Sequence, residues 1–273
     1  ILTLYEARAP KEELPFFIAL MDHLAAHGLD CPRPLRNLAG EALGEVAGRP
    51  AALVSFLDGV SVKRPGVPHC AELGAALARL HLAGRGFDWV KPNPFSVAGW
   101  RPLAIAAGKG AETVSPGLAR RIADELAVHE ACWPEGLPAG IIHADLFPDN
   151  VFFIGTRCSG LIDFYFACTD AFAYDIAVCL NSWCFEADAS FNLTKGHALL
   201  RGYDGVRRLD ANEVMALPQL CRGSALRFLL TRLVDWLNVP PGALVRPKDP
   251  LEYDRRLSFH SRIESAAEYG LVR

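Results

Sequence analysis

A chain of 273 residues that is 51% apolar and 22% charged can fill the core of one large or two modest domains, which excludes a disordered polymer. A net charge of −3, a pI near 6.3 and the lack of any basic block exclude a nucleic-acid surface, and no apolar run of about 18 residues suggests a membrane span. The eight cysteines are irregularly spaced, with Cys168, Cys179 and Cys221 in apolar segments. They read as small buried hydrophobes of a cytoplasmic protein, not as a disulfide framework or zinc site. No signal peptide is visible.

Residues 1–5 read as a strand, so the chain opens in mid-strand and is expected to lack its first segment. Residues 11–27 read as a helix carrying Leu14, Phe17, Ile18, Met21 and Leu24 on one stripe, ended by Gly28. Pro32 and Pro34 interrupt regular structure after it. A strand pair around Gly40 is expected next, ending in a buried strand over residues 51–57 and a turn at Asp58-Gly59. Helices are then expected over residues 72–82 and from Ser115-Pro116 to about residue 130, with the Ser115 hydroxyl as cap. His81, in the first of these, reads as a satisfied core histidine. Residues 172–185 are apolar on nearly all sides and should form a buried helix. Asp210 to Glu213 spell a capping box, and residues 219–238 a long helix stopped by Pro240-Pro241.

The chemistry-bearing stretch lies between. Ile141-Ile142-His143-Ala144-Asp145 leads, across four intervening residues, to Asn150, and Leu161-Ile162-Asp163-Phe164 comes after it. Short runs rich in β-branched and aromatic residues surround these positions and read as buried strands, with residues 156–159 as the turn between Gly155 and Gly160. A hairpin of residues 151–154 with 161–163 would bring Asn150 and Asp163 together at its open end. An amide oxygen beside a carboxylate suits Mg²⁺, whose other ligands are waters and phosphate oxygens. Asp145, in the entering loop, can point to the same place as a general base. One base and two metal-holding residues are the minimum apparatus for phosphoryl transfer from a nucleotide. A metal-dependent hydrolase sharing the spacing is the bland alternative.

This pattern, His143-x-Asp145-x-x-x-x-Asn150 and then Ile162-Asp163-Phe164, resembles the catalytic loop and metal-binding aspartate of the protein-kinase-like fold. The His-Ala-Asp-Leu form, with Asp170 and Asp175 beyond it, resembles the aminoglycoside phosphotransferase and choline kinase branch. The match is partial, because Thr169 and Ala171 stand where glycine and proline are usual. Asp145-Leu-Phe-Pro-Asp-Asn-Val-Phe-Phe, Asn181-Ser-Trp-Cys-Phe and Leu229-Leu-Thr-Arg-Leu-Val-Asp-Trp-Leu-Asn are similar to bacterial homoserine kinases of that branch, from Ile1 onward.

The resemblance implies an α+β, two-lobe fold: a small β-rich nucleotide-binding lobe over residues 1–58 and a larger helical lobe over residues 59–273. It implies ATP and Mg²⁺ as cofactors and a small alcohol as substrate. The expected acceptor is L-homoserine, giving O-phosphohomoserine for threonine biosynthesis, with an aminoglycoside or choline-type acceptor as alternative. Backbone groups of Ser55, Phe56 and Leu57 would meet adenine. Asp145 would be the base, supported by His143, and Asn150 and Asp163 would hold the metal. Asp175 would anchor the catalytic loop. An acceptor carrying a carboxylate and an ammonium needs a cation and an anion. Arg232 and Asp235, three apart on one helix, are the candidates, with Tyr165, Trp183 and Trp236 as walls.

Two parts of the family pattern are absent. The glycine-rich phosphate loop would precede Ile1. The cation expected on the first strand falls at Thr3, and its glutamate partner near Phe16 or Phe17. Joint loss is physically consistent, since either charge alone would be buried unpaired. An inactive nucleotide-binding scaffold therefore competes with the kinase reading.

Overall fold

The computed structural model describes residues 1–5, 10–240, 242 and 246–271. An antiparallel sheet comes first: β1 (Leu2–Leu4), β2 (Pro34–Leu35), β3 (Gly44–Val46) and β4 (Arg49–Val54). β4 pairs with the other three, Thr3 lying opposite Ala52 and Leu35 opposite Leu53. The hairpin turn is at Ala47-Gly48, not around Gly40, which closes a separate loop with Asn37. Pro34, expected only to break structure, sits in the short β2 at the sheet's edge, where no ladder donor is required of it.

Helix α1 (Leu14–Ala26), entered through a 3₁₀ turn at Lys11–Glu13, buries Leu14, Phe17, Ile18, Met21 and Leu24 as the stripe predicts. Each such side chain contributes roughly 1.5–3 kcal/mol on burial. Gly28 comes next at φ +82° and turns the chain. Residues 55–59 then run without regular structure and without the expected turn, and are pinned at their far end. Val60 and Phe153 exchange backbone hydrogen bonds, and Ser159 Oγ donates to Asp58 O at 2.6 Å. Gly59 has φ +126°, and a Cβ there would lie 2.3 Å from Ser159 Oγ, so the close approach requires glycine.

Most of the remainder is helical. The helices are α2 (Val67–Ala83), α3 (Val97–Ala107), α4 (Gly110–Val114), α5 (Leu118–Cys132), α6 (Phe172–Trp183), α7 (Leu193–Asp204), α8 (Ala211–Leu237) and α9 (Leu251–His260). α2 and α7 touch backbone to backbone. A Cβ on Gly74 would lie 2.0 Å from Leu199 O, and one on Gly202 2.1 Å from Ala71 O. Two helix starts differ from expectation. Ser115 ends α4 instead of capping α5, whose first amides are met by Glu112, accepting from Gly117 N and Ala119 N at 2.8 and 3.0 Å. α8 begins at the Asp210–Glu213 capping box and runs through Pro218, because packing against α3, α6 and α9 outweighs the backbone bond that proline forfeits. α6 is buried on nearly all sides, as its composition predicts.

Two small ribbons lie among the helices. β5 (Ala139–Ile142) pairs with β8 (Cys168–Ala171), and β6 (Val151–Ile154) with β7 (Arg157–Leu161). The second ribbon turns at Gly155-Thr156, tighter than the expected loop, so residues 157–160 belong to β7. All eight cysteines are free, and seven are buried. No described helix is long and apolar enough to cross a membrane.

Candidate active site

The loop from His143 to Asn150 leaves β5 and enters β6, and its backbone is clamped at its most strained point. Ala144 has φ +62°, a left-handed value that costs a residue with a Cβ about 1–2 kcal/mol. Its N–H donates to Asp175 Oδ1 at 2.9 Å, and its carbonyl accepts from Arg227 Nη1. Asp175 Oδ2 also takes the His143 N–H at 2.7 Å. Asp175 is fully buried. Burial alone would raise its pKa, but hydrogen bonds from His81 and from the His143 amide outweigh that and hold it below the usual carboxylate value.

His81 is a satisfied core histidine with a task. Its Nε2 lies 3.2 Å from Asp175 Oδ2 and its Nδ1 2.7 Å from Tyr203 Oη. Burial depresses its pKa, so the ring is neutral, donating to Asp175 and accepting from Tyr203. Tyr203 meets Arg207, and Arg207 meets Glu213 of the α8 capping box at 2.9 Å. A polar chain thus runs from a helix cap to the loop. His143 spends both ring nitrogens locally, Nε2 on Ile162 O at 2.9 Å and Nδ1 on the Asp145 N–H at 3.4 Å.

Asp145 stands at the loop's centre. Burial pushes its pKa up to about 6, against the opposing charge of Arg227. Arg227 is 2% exposed, with its cation 4.4 Å from the Phe228 ring centre and 5.0 Å from that of Phe95. Residue pattern carries no signal for it, because an arginine inside a long helix normally reads as a surface charge.

Asn150 and Asp163 flank the open end of the β6–β7 ribbon. The N–H of Ile162 donates to Asn150 O at 3.0 Å. Asn150 Nδ2 donates to Asp145 O at 2.8 Å, which leaves Oδ1 free of described partners. Asp163 is not at a strand end as expected but just beyond it, in a left-handed conformation (φ 65°, ψ 62°). Burial raises its pKa, and no described cation pairs with it. An unpaired carboxylate in the mouth of the cleft, across the ribbon's open end from a free amide oxygen, fits a divalent cation. No group of three His, Cys, Asp or Glu side chains placed to hold a metal ion occurs among the described residues.

A cavity of about 200 Å³ opens between the sheet and this ribbon, lined by Thr3, Ser55, Leu57, Phe152, Asp163 and Tyr165 among others. Phe56 turns outward, 69% exposed, so only its backbone can serve the cleft. Ser55 N is already spent on Arg33 O at 2.8 Å, whereas the amides of Phe56 and Leu57 make no hydrogen bond to described residues.

The expected pairing of Arg232 with Asp235 does not form. Arg232 pairs with Glu252 of α9 at 2.6 Å, not with Asp235, which is exposed; the two sit about 60° apart round the helix, so α9 covers one while solvent reaches the other. Trp183 is 1% exposed, and its Nε1 donates to Leu146 O at 2.8 Å, so it braces the loop from beneath instead of walling a pocket. Tyr165 lies on the nucleotide side of the cleft, edge-on to Tyr5 and Phe17. Trp236 is exposed. Phe16 and Phe17 are core residues, and no charge from either faces Thr3.

A family model described as "Phosphotransferase enzyme family" matches residues 1–209. The chain belongs to this family. Among similar curated proteins, this phosphotransferase is 65% identical over 272 residues to a homoserine kinase of Xanthobacter autotrophicus, covering 100% of this chain and 85% of that one. It is 66% identical over 270 residues to a homoserine kinase of a Methylobacterium, covering 99% and 84%. Solved structures share the fold at low identity. An aminoglycoside phosphotransferase from Alicyclobacillus acidocaldarius superposes with TM-score 0.63 at 16% identity, over 98% of this chain and 84% of that one. An amicoumacin kinase in complex with AMP-PNP and Ca²⁺ gives 0.65 at 14%, over 96% and 82%. A choline/ethanolamine kinase family protein from Mesorhizobium loti gives 0.61 at 17%, over 98% and 84%. The protein-kinase-like, two-lobe α+β architecture implied by the catalytic motif is therefore the one this chain adopts.

Proposed function

We propose that this phosphotransferase is an ATP-dependent homoserine kinase, transferring the γ-phosphoryl group to the side-chain hydroxyl of L-homoserine. The observation that carries the reading is 65% identity, end to end, with curated homoserine kinases over a chain whose catalytic loop is intact. Asp145 accepts or orients the hydroxyl proton. Its pKa near 6 keeps it a carboxylate at neutral pH yet close enough to the operating range to take a proton. His143, Asp175 and Arg227 act as positioning residues, since each fixes the backbone that carries Asp145. Asn150 Oδ1 and the Asp163 carboxylate would hold Mg²⁺. When bound, that ion neutralises charge on the phosphate oxygens as transfer proceeds. The backbone of residues 56–57 would meet the adenine edge, with apolar walls from Val54, Leu57 and Phe152.

The test is ADP release in the presence of L-homoserine and Mg²⁺, with the product identified by ³¹P NMR. Stoichiometric phosphohomoserine and ADP are expected. Nucleotide binding without ADP release would replace the reading with a scaffold. Phosphate release without a phosphorylated acceptor would replace it with a hydrolase.

A further inference from the structure

The far side of the catalytic loop carries charge that phosphoryl transfer itself does not call for. Glu252 accepts from Arg232 Nη1 at 2.6 Å and from Arg256 Nη2. The two guanidiniums lie over the Tyr253 ring at 4.4 and 4.5 Å. That ring packs on Phe228 at 5.2 Å, and Phe228 on Phe147 of the catalytic loop at 5.0 Å. Lys248 caps the row, its ammonium 5.2 Å from the Phe147 ring centre. The three cations and Glu252 therefore form one continuous wall running up to the loop that bears Asp145.

The charges in this wall do not balance. Arg232 and Arg256 share one partly buried carboxylate, Glu252, and Lys248 pairs with the exposed Asp149 at 3.8 Å, which leaves three cations to two carboxylates. Asp249 offers Arg232 a carbonyl at 3.3 Å, while its carboxylate pairs with Arg255 at 3.8 Å. Arg232 directs a single nitrogen inward. Its Nε and second Nη make no hydrogen bond to a described residue, and neither is sealed from solvent. Half of a planar fork is thus unspent, held in place by stacking and by Glu252, with an ammonium nearby. A guanidinium held in this way matches a carboxylate and would disfavour a polycation. The neighbourhood is shared electrically: Lys248 lowers the pKa of both Asp145 and Glu252.

We propose that Arg232 and Lys248 bind the carboxylate of the acceptor, so that this phosphotransferase selects hydroxylated amino acids over amino alcohols and aminoglycosides. This deepens the homoserine kinase reading and rests on it. Glu252 is the positioning partner that keeps the Arg232 fork oriented.

The experiment is steady-state kinetics of the full chain with L-homoserine and with its carboxylate-free analogue aminopropanol, for wild type, Arg232→Met and Lys248→Met. Wild type should strongly prefer homoserine. Each variant should raise the homoserine KM roughly ten- to hundredfold with a smaller change in kcat, as expected for losing a charge-assisted contact. The preference for homoserine over aminopropanol should collapse in step. Arg232 is buried and its loss can unfold the protein, so circular dichroism accompanies each variant, and the exposed Lys248→Met decides if Arg232→Met does not fold. An unchanged homoserine KM in the folded variants, or an equal loss for both acceptors, overturns the proposal while leaving the kinase reading intact. Wild-type turnover of other alcohols but not of homoserine overturns the functional reading, and the proposal with it.

Discussion

The two walls of the cleft are built on opposite principles. On the catalytic side, residues 143–150 are over-determined. Asp175, Arg227, Trp183 and His143 between them fix amides or carbonyls of His143, Ala144, Asp145 and Leu146, and the supporting chain continues through His81 and Tyr203 to Glu213. On the nucleotide side, the sheet offers Thr3, Ala52 and Val54 inward, and Leu2, Leu35 and Leu53 half exposed outward. Two Lys–Glu pairs are described at this end, Lys11 with Glu45 at 3.9 Å and Lys91, which lies 5.4 Å over the Phe17 ring, with Glu13 at 3.2 Å, and none of these four residues lines the cleft. Rigid polar scaffolding is concentrated where a proton must be taken, and the nucleotide is left to backbone edges and apolar contact. Preorganisation matters most where charge changes during the reaction, which is the catalytic wall.

The largest effects should therefore come from that wall. Asp145→Asn is expected to cut kcat by roughly a thousandfold, within the range of general-base removal, while Mg·ATP affinity stays within a few-fold. Pre-steady-state kinetics with a separate nucleotide titration reads both numbers; near-normal turnover would remove Asp145 from its role. Asp163→Ala should do the reverse, weakening metal-dependent nucleotide binding by about tenfold or more. Equal effects of the two variants on Mg·ATP binding would erase the division of labour between them.

Arg227 ranks next. Replacing it with Met removes the hydrogen bond to Ala144 O and the cation that opposes the burial of Asp145. We expect kcat to fall roughly tenfold to a hundredfold. The sign of the pH effect is fixed. Asp145 acts as a carboxylate, so activity is lost as pH falls through about 6 in wild type. Without Arg227 its pKa rises further, and the acidic limb of the kcat profile must move to higher pH. Ala144→Gly, which adopts φ +62° without strain, should recover part of the loss in the double variant. Strict additivity in that cycle would show that Arg227 does not act through the loop backbone.

The catalytic motif was legible because its chemistry demands fixed residue types at fixed offsets, and helices α1, α6 and α8 because apolar periodicity is local. Pairing across distance stayed hidden. Arg232 and Asp235 looked like partners by helical spacing, yet α9 supplies Glu252 from twenty residues away. Trp183 looked like a pocket wall, but an indole N–H in a core must find an acceptor, and Leu146 O provides it. Arg227 and His81 carried no signal as loop supports, since their role exists only once α2, α6 and α8 converge. The Ser115 cap failed for a related reason: Glu112, one turn back, reaches the same amides with a full charge.

A smaller effect reads the cost of keeping Asp145 ready. A carboxyl whose pKa is about 6 when folded and near 4 when unfolded binds protons more tightly in the native state. It therefore destabilises the fold once it ionises, by about 2–3 kcal/mol above pH 6, and the penalty vanishes as pH falls below about 4. Asp145→Asn should raise Tm by several degrees at pH 7.5 in the absence of ligand, with the difference shrinking toward zero in acid. A variant less stable than wild type at neutral pH would place that carboxylate in a favourable environment instead.

The smallest effect should come from the other wall. Thr3 occupies the strand position where a phosphate-binding cation is expected, and it lines the cleft with Asp163. Phe17 lies in the apolar core, so no carboxylate from that position would balance a lysine at Thr3. If charge handling lies on the catalytic side, the Thr3 hydroxyl has little to do. Thr3→Val, a similar shape suited to a strand, should leave kcat and the ATP KM within about twofold of wild type. Thr3→Lys should instead place an unpaired cation beside Asp163, where it would compete with the metal and raise the Mg²⁺ concentration needed for half-maximal rate. A large loss of kcat in Thr3→Val would assign phosphate contact to this strand, and the contrast between the two walls would have to be redrawn.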